Sequence, residues 1–387
     1  MAALRYISGN SITLLQNGAD FFPALEAAID SAQHEVHVET YIFADDSTGQ
    51  RIANALRRAA ERNVIVRVIV DGFGSRDFFP PEMANILLRS GVELFIYRPE
   101  AFRFSVRRHR LRRMHRKIAM IDGMIAFVGG INIIDDVNTP HHTPPRYDYA
   151  VKVMGPLMQE LRPIVHRLWL VLSWTNFRTR LHSDFPKLPP AAPCGAHLAA
   201  LVIRDNFRHR NDIEEAYLEA IDNARDEIII ANAYFFPGLG FRRALVAAAA
   251  RGVTVTLLLQ GRVEYRWLHH ATRALYGALL SGGIHIIEYH KSFMHAKVAV
   301  IDDDWATIGS SNIDPFSFML SREANIIVRD AGFCTQLRHS LKSAIEDGAA
   351  PIHLQEWKRR SFVERALAWI AFGSARFILG TLGYPQK

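Results

Sequence analysis

Apolar and polar positions along the chain follow two periods in turn. From Ala24, ALEAAIDSAQHEVHVETYIF carries Leu25, Ala28, Ile29 and Ala32 at helical spacing, then turns β-branched and apolar at Val36, Val38, Thr40 and Ile42. A helix followed by a strand is predicted. The same switch returns in AYLEAIDNARDEIIIANAYF from Ala216. A second matching pair is ALRRAAERNVIVRVIVDG from Ala55 and ALVAAAARGVTVTLLLQG from Ala244, and a third is LRSGVELFIY from Leu88 and LSGGIHIIEY from Leu280. Gly91 and Gly283 close the preceding helices as C-cap residues. The order βαβαβ, written twice, predicts an α/β fold of two similar lobes, each a largely parallel or mixed sheet covered by helices.

Breaks in this pattern divide the chain. SDFPKLPPAAPCGAH, residues 183–197, holds four prolines and reads as a linker. An N-terminal lobe over 1–182 and a C-terminal lobe over 198–348 follow, and residues 349–387 belong to neither repeat. From Lys358 this tail carries Lys358, Arg359, Arg360, Arg365, Arg376 and Lys387 against Glu364 alone. A helix over Phe362–Leu382 would place Arg365 and Arg376 on nearly one side of an otherwise apolar surface, which suits a membrane interface.

Each repeat ends in one polar signature inside an apolar strand. MHRKIAMIDGMIAFVGGIN supplies His115, Lys117, Asp122, Gly129, Gly130 and Asn132; MHAKVAVIDDDWATIGSSN supplies His295, Lys297, Asp302, Gly309, Ser310 and Asn312. The spacing H-x-K-x4-D-x6-G-[GS]-x-N is the same in both. Three fixed residues at fixed spacing arise at about one start in eight thousand, so two copies at equivalent places are not accidental. Alternate strand positions share a face, so His115 lies beside Lys117 and His295 beside Lys297. A pseudo-twofold axis would converge two imidazoles, two ammonium groups and two amides, from Asn132 and Asn312, on one anion between the lobes. The glycines would let backbone approach a bound group. Lysine supplies the positive charge, so neither metal nor cofactor is required. Asp122 and Asp302 complete the catalytic motif, but their place at the strand ends favours holding loop amides or a lysine.

Composition narrows the partners. Lys and Arg exceed Asp and Glu, 46 to 39, for a net charge of +7, and a pI near 9.5 favours anionic partners. Arginines crowd the first motif in RPEAFRFSVRRHRLRRMHRK from Arg98 to Lys117, with Phe102, Phe104, Val106 and Leu111 between them. These aromatics, with Phe78, Phe79, Tyr234, Phe235 and Phe236, suit acyl chains at least as well as bases. Cys194 and Cys334 have no metal-ligand or disulfide spacing, the start MAALRYISGN has no signal-peptide pattern, and no apolar run reaches about 18 residues.

The doubled motif resembles that of the phospholipase D superfamily, which implies two phospholipase D-like lobes with the active site between them. The resemblance implies ping-pong chemistry: one motif histidine attacks phosphorus and the other protonates the leaving alcohol, with His115 favoured as nucleophile. It also implies a carboxylate orienting each histidine, for which Asp148 in RYDYAVKVMGP and Glu323 in SREANIIV are the candidates. Within the superfamily, RRMHRKIAMIDGMIAFVGGIN, DYAVKVMGP, IIIANAYFFPG and KVAVIDDDWATIGSSNIDPFSF are similar to the bacterial cardiolipin synthase B type up to about residue 345. That group condenses two phosphatidylglycerols into cardiolipin and glycerol. The partners implied are anionic phospholipid, phosphatidylglycerol, and a membrane surface, with peripheral placement on the cytoplasmic face of the bacterial inner membrane and no nucleic acid; nothing in the sequence marks oligomeric state. The alternative is a phospholipase D-like phosphodiesterase or nuclease. Phe316 and Ser321 depart from residues common in the superfamily, and His141 and His142 read as exposed loop residues.

Overall fold

The computed structural model describes residues 4–99, 112–139, 143–175, 185–205, 208–262, 266–314, 317, 320–359, 367, 368 and 370–374. Most of the arginine-rich loop, His141, His142, Phe316 and much of the anticipated tail helix lie outside them.

The N-terminal half runs β1 (Ile7–Gln16), α1 (Asn17–Ser31), β2 (Glu35–Thr40), α2 (Ser47–Glu61), β3 (Ile65–Asp71), α3 (Pro81–Arg89), β4 (Glu93–Tyr97), β5 (Arg113–Met114), β6 (Lys117–Ile121), β7 (Ile125–Gly129), β8 (Arg146–Tyr147), β9 (Tyr149–Met154) and α4 (Met158–Thr175). The C-terminal half runs β10 (His197–Arg204), α5 (Asp212–Asn223), β11 (Glu227–Asn232), α6 (Leu239–Ala250), β12 (Thr254–Gln260), α7 (Arg266–Arg273), α8 (Tyr276–Ser281), β13 (His285–Tyr289), β14 (Phe293–Met294), β15 (Lys297–Ile301), β16 (Trp305–Gly309), β17 (Ser321–Arg329), α9 (Ala331–Gly348), β18 (Ala349–Pro351) and α10 (Leu354–Lys358).

Helix boundaries follow local chemistry. Asp46 caps α2 by accepting from the Gly49 amide at 2.9 Å, and Asp330 caps α9 through Phe333 N–H at 2.8 Å. Gly91 and Gly283 take φ of 88° and 83°, the left-handed backbone that ends α3 and α8. On α1 the predicted face is the buried one, with Leu25 and Ile29 at 1% and 0% exposure. Each such side chain contributes roughly 1.5–3 kcal/mol by leaving water.

The halves are more closely joined than two separate sheets. Outward from a β1–β10 junction the order is β9-β7-β6-β2-β3-β4 one way and β17-β16-β15-β11-β12-β13 the other, within one 16-stranded mixed sheet. The matching order gives the pseudo-twofold relation. In each half the three strands of the repeat pair in parallel, and the motif strand pairs antiparallel with the first of them. The junction is short and irregular, linking Ile7 to Ala199 and Asn10 to His197 across a bulge.

The C-terminal lobe extends past residue 348. β18 pairs antiparallel with β13, and Trp357 packs on Tyr276 with ring centroids 5.1 Å apart. Farther on, Ala371 is buried in the core of that lobe and Phe372 meets Phe236 at 5.5 Å, while Leu367 and Ile370 are exposed. The described part of the tail thus has one face on the protein and one on solvent. Phe79, Phe235 and Phe236, expected to suit acyl chains, are core residues instead. Among the described residues no helix is long and apolar enough to cross a membrane.

Candidate active site

Each motif histidine is held by the opposite lobe. β5, just before His115, pairs with the start of β17, and β14, just before His295, pairs with β8. The His115 amide donates to Arg322 O at 3.0 Å and the His295 amide to Tyr147 O at 2.8 Å. The side chains cross in the same way. His115 Nδ1 lies 3.1 Å from Glu323 Oε2, and His295 Nδ1 lies 2.6 Å from Asp148 Oδ2. Both candidate carboxylates therefore stand behind histidines of the other half. A carboxylate accepting Nδ1–H leaves the Nε2 lone pair free to attack phosphorus.

The lysines lie beneath the histidines at the first positions of β6 and β15, almost without exposure. Lys117 Nζ donates to His115 O at 2.6 Å and faces the Tyr41 ring at 5.3 Å. Lys297 Nζ lies 2.9 Å from His295 Nδ1. Tyr41 packs edge-on to His115 and Tyr234 edge-on to His295.

Burial dominates the protonation of this cluster. It lowers His115, against the opposing charge of Glu323, and holds His295 well below the usual histidine value with help from Lys297 and Lys117. Both imidazoles are neutral at pH 7. Burial and the neighbouring Lys297 pull Lys117 down to about 7, and burial raises Asp148 to about 6 despite Lys297. A phosphoryl anion beside Lys117 would favour its charged form again.

That arrangement sets function against stability. The folded-state pKa of Lys117 lies below its ordinary value, so protonation disfavours the native state most at pH 7 and below, less as pH rises toward about 10.4. Lys117→Met is expected to stabilise the protein by about 1–3 kcal/mol near pH 7 while abolishing transfer. Melting curves should show the gap shrinking as pH rises to about 10. A variant less stable than the parent at pH 7 would contradict this reading of the site.

Other motif residues have structural partners. Asp122 and Asp302 are not beside the histidines: they directly follow β6 and β15, seven positions and roughly 23 Å of extended chain from His115 and His295. Asp122 accepts from the amides of Gln33, His34 and Glu35, and Asp302 from those of Arg225, Asp226 and Glu227. Their φ of 50° and 46° fits tight turns at those ends. The catalytic assignment is corrected to the loop-holding one.

The motif glycines also serve the fold. A Cβ on Gly129 would come within 2.4 Å of Ala150 Cα, and one on Gly130 within 2.3 Å of Asp148 Oδ1. On Gly309 it would come within 2.0 Å of Asn325 Oδ1. The neighbouring strand and the orienting carboxylate, rather than a bound group, require their absence. Ser310, at the place of Gly130, donates its hydroxyl to Glu323 at 2.5 Å. Asn132 Oδ1 accepts from Ile42 N–H at 3.1 Å, while Asn312 Oδ1 is buried with no hydrogen-bond partner among the described residues.

Two contributors escaped the sequence reading. Asp71, at the end of β3, accepts the Met114 amide at 2.8 Å and so fixes the residue before His115. Tyr41 shields the His115–Lys117 pair. Only the repeat pair ETYIF and ANAYF, with an aromatic at each strand end, hinted at Tyr41.

Glu35, His37 and His166 form the one cluster with metal-ligand types among the described residues, their ligand atoms within 4.8 Å of one another. Both histidines lie 3.2 Å from Glu35 Oε2, and Arg162 Nε lies 3.3 Å from Oε1. The guanidinium already supplies a cation there. The cluster adjoins Asp122, at the end of β6 remote from His115.

A family profile described as "Cardiolipin synthase, PLD-like domain" matches residues 25–169 and 217–345. Cardiolipin synthase B of Escherichia coli K12 is 37% identical over 97% of this chain and 90% of that protein. Cardiolipin synthase 2 of Bacillus anthracis is 31% identical over 91% of this chain and 67% of that protein. The crystal structure of phosphatidylserine synthase from Haemophilus influenzae Rd KW20 superposes with a TM-score of 0.72, covering 98% of this chain and 96% of that one at 14% identity.

Proposed function

The chain belongs to the phospholipase D-like cardiolipin synthase family, and from that premise we propose that it makes cardiolipin by moving a phosphatidyl group between two phosphatidylglycerols. The observation that carries this is the crossed seating of His115 on Glu323 and His295 on Asp148, with Lys117 and Lys297 beneath. One neutral imidazole attacks phosphorus through Nε2, forming a P–N bond as the P–O bond to glycerol breaks. The other, charged as substrate binds, gives its proton to the departing glycerol oxygen. It then takes a proton from the hydroxyl of a second phosphatidylglycerol, which attacks the phosphohistidine and frees the first histidine. Two substrate molecules become cardiolipin and glycerol. The lysines and the Asn132 and Asn312 amides offset charge on the phosphoryl oxygens, in the role that a metal ion takes elsewhere.

Our choice of nucleophile is His115. Incubation with phosphatidylglycerol labelled at phosphorus should leave an acid-labile, protein-bound label in His295→Asn and none in His115→Asn. Label retained only by His115→Asn would reverse the assignment, and label in neither, from active protein, would remove the covalent step.

We also propose peripheral attachment to an anionic bilayer, at the cytoplasmic face of the inner membrane, through the tail. Its support is the excess of basic residues and the exposed Leu367 and Ile370. Each basic residue near such a surface contributes about 1 kcal/mol. A chain ending at Arg359 keeps Trp357 on Tyr276 but loses the buried Ala371 and the Phe372–Phe236 contact, so unchanged circular dichroism is the control for its fold. The shortened chain is expected to lose most sedimentation with phosphatidylglycerol vesicles and most activity on them, while keeping activity on detergent-dispersed lipid. Undiminished sedimentation would rule out the tail as the anchor.

A further inference from the structure

Behind the His115–Glu323 pair runs a groove of about 1280 Å³ between α4 and the β10–α5 segment. Successive strand residues point to opposite faces, so on β17 Glu323 turns to His115 and Arg322 to the groove. The groove is therefore separated from the reacting face by the strand that orients the histidine. Its volume exceeds the 300–1,000 Å³ or so usual for small-molecule pockets.

Two features describe an occupant. The walls are apolar where Ile164, Leu168 and Val171 of α4 face Leu201 and Ile203 of β10. At their end stands Arg322, whose Nε is buried without a hydrogen-bond partner. Its side chain makes no hydrogen bond or ion pair among the described residues, whereas nearby Arg116 is paired with Glu39 and Arg204 donates to Ser321 O. The side chain is half-buried, with Nε alone closed off from water, and phosphate suits the planar fork of a guanidinium that has no carboxylate partner. Glu160, Asp205 and four carboxylates of α5, Asp212, Glu215, Glu219 and Asp222, border the groove as well and would repel an anion placed away from Arg322. Outside, α4 exposes Leu170, Val171 and Trp174, the last at 75%. Val171 belongs to both surfaces, so the apolar wall continues onto the outer surface of α4.

We propose that this groove holds one anionic phospholipid, its phosphate on Arg322 and its acyl chains along α4 and β10, in addition to the lipid at the paired histidines. The proposal rests on the reading that the protein works on anionic phospholipid. Its test does not depend on turnover.

The full chain in detergent micelles would be irradiated with a phosphatidylglycerol bearing a diazirine in its acyl chain, and the labelled peptides mapped. Label is expected within residues 161–174 and 197–204. Arg322→Gln should lower it at least about tenfold, as expected for loss of a charge-assisted contact to phosphate. Leu201→Trp, which fills the groove, should do the same from the apolar side, both variants keeping the parent circular dichroism. Excess glycerol 1-phosphate should not displace the label, and a diazirine phosphatidylcholine should not give it. Absence of groove label in the parent, equal label in both folded variants, or displacement by glycerol 1-phosphate would each overturn the proposal. If the groove is labelled but no cardiolipin forms, the proposed reaction fails while this site stands.

Discussion

His115→Asn and His295→Asn are each expected to lower phosphatidyl transfer at least about a thousandfold, and the double variant to be little slower than either. The reason is geometric. Each histidine depends on the opposite lobe for its backbone hydrogen bond, for the two-residue strand before it and for its carboxylate. Attack and leaving-group protonation are then two parts of one event, and losing either removes the whole. Steady-state rates on detergent-dispersed phosphatidylglycerol would measure this. Losses that multiply in the double variant would mean two independent sites.

Removing the carboxylates should give the second-largest effect. Glu323→Gln and Asp148→Asn keep the shape of each side chain but cannot hold the Nδ1–H tautomer or the imidazolium, and kcat is expected to fall about a hundredfold or more with KM nearly unchanged. Glu323 also opposes the burial that lowers His115. Its loss should move the His115 titration further down, which imidazole NMR signals would report. A variant with normal kcat, or a His115 titration moved upward, would contradict the assigned role.

The doubled motif was legible in the sequence because strand period and residue identity coincide: His115 with Lys117, and His295 with Lys297. The helices and strands of each repeat were equally legible, since α1 and β2 bury the positions that their periodicity marks. The crossing was not. Asp148 lies 33 positions from His115 and 147 from His295, yet it serves His295, because the two-residue strands β8 and β14 are too short to leave a periodic trace. The β1–β10 junction was missed for a related reason: neither strand belongs to the repeat units that drew attention. The motif glycines were misread because the group approaching their backbone is a neighbouring strand, a long-range partner that spacing does not show. Asp122 was legible as a turn residue from its place at the strand end, even though membership of the motif suggested chemistry.

The central claim is a single site spanning both lobes that joins two phosphatidylglycerols. The most direct measurement is the product balance from purified protein and phosphatidylglycerol micelles, in buffer containing EDTA. Cardiolipin and glycerol should appear in equal amounts, and neither should form with His115→Asn or His295→Asn. Phosphatidic acid without cardiolipin, or cleavage of single-stranded DNA in place of lipid turnover, would contradict it.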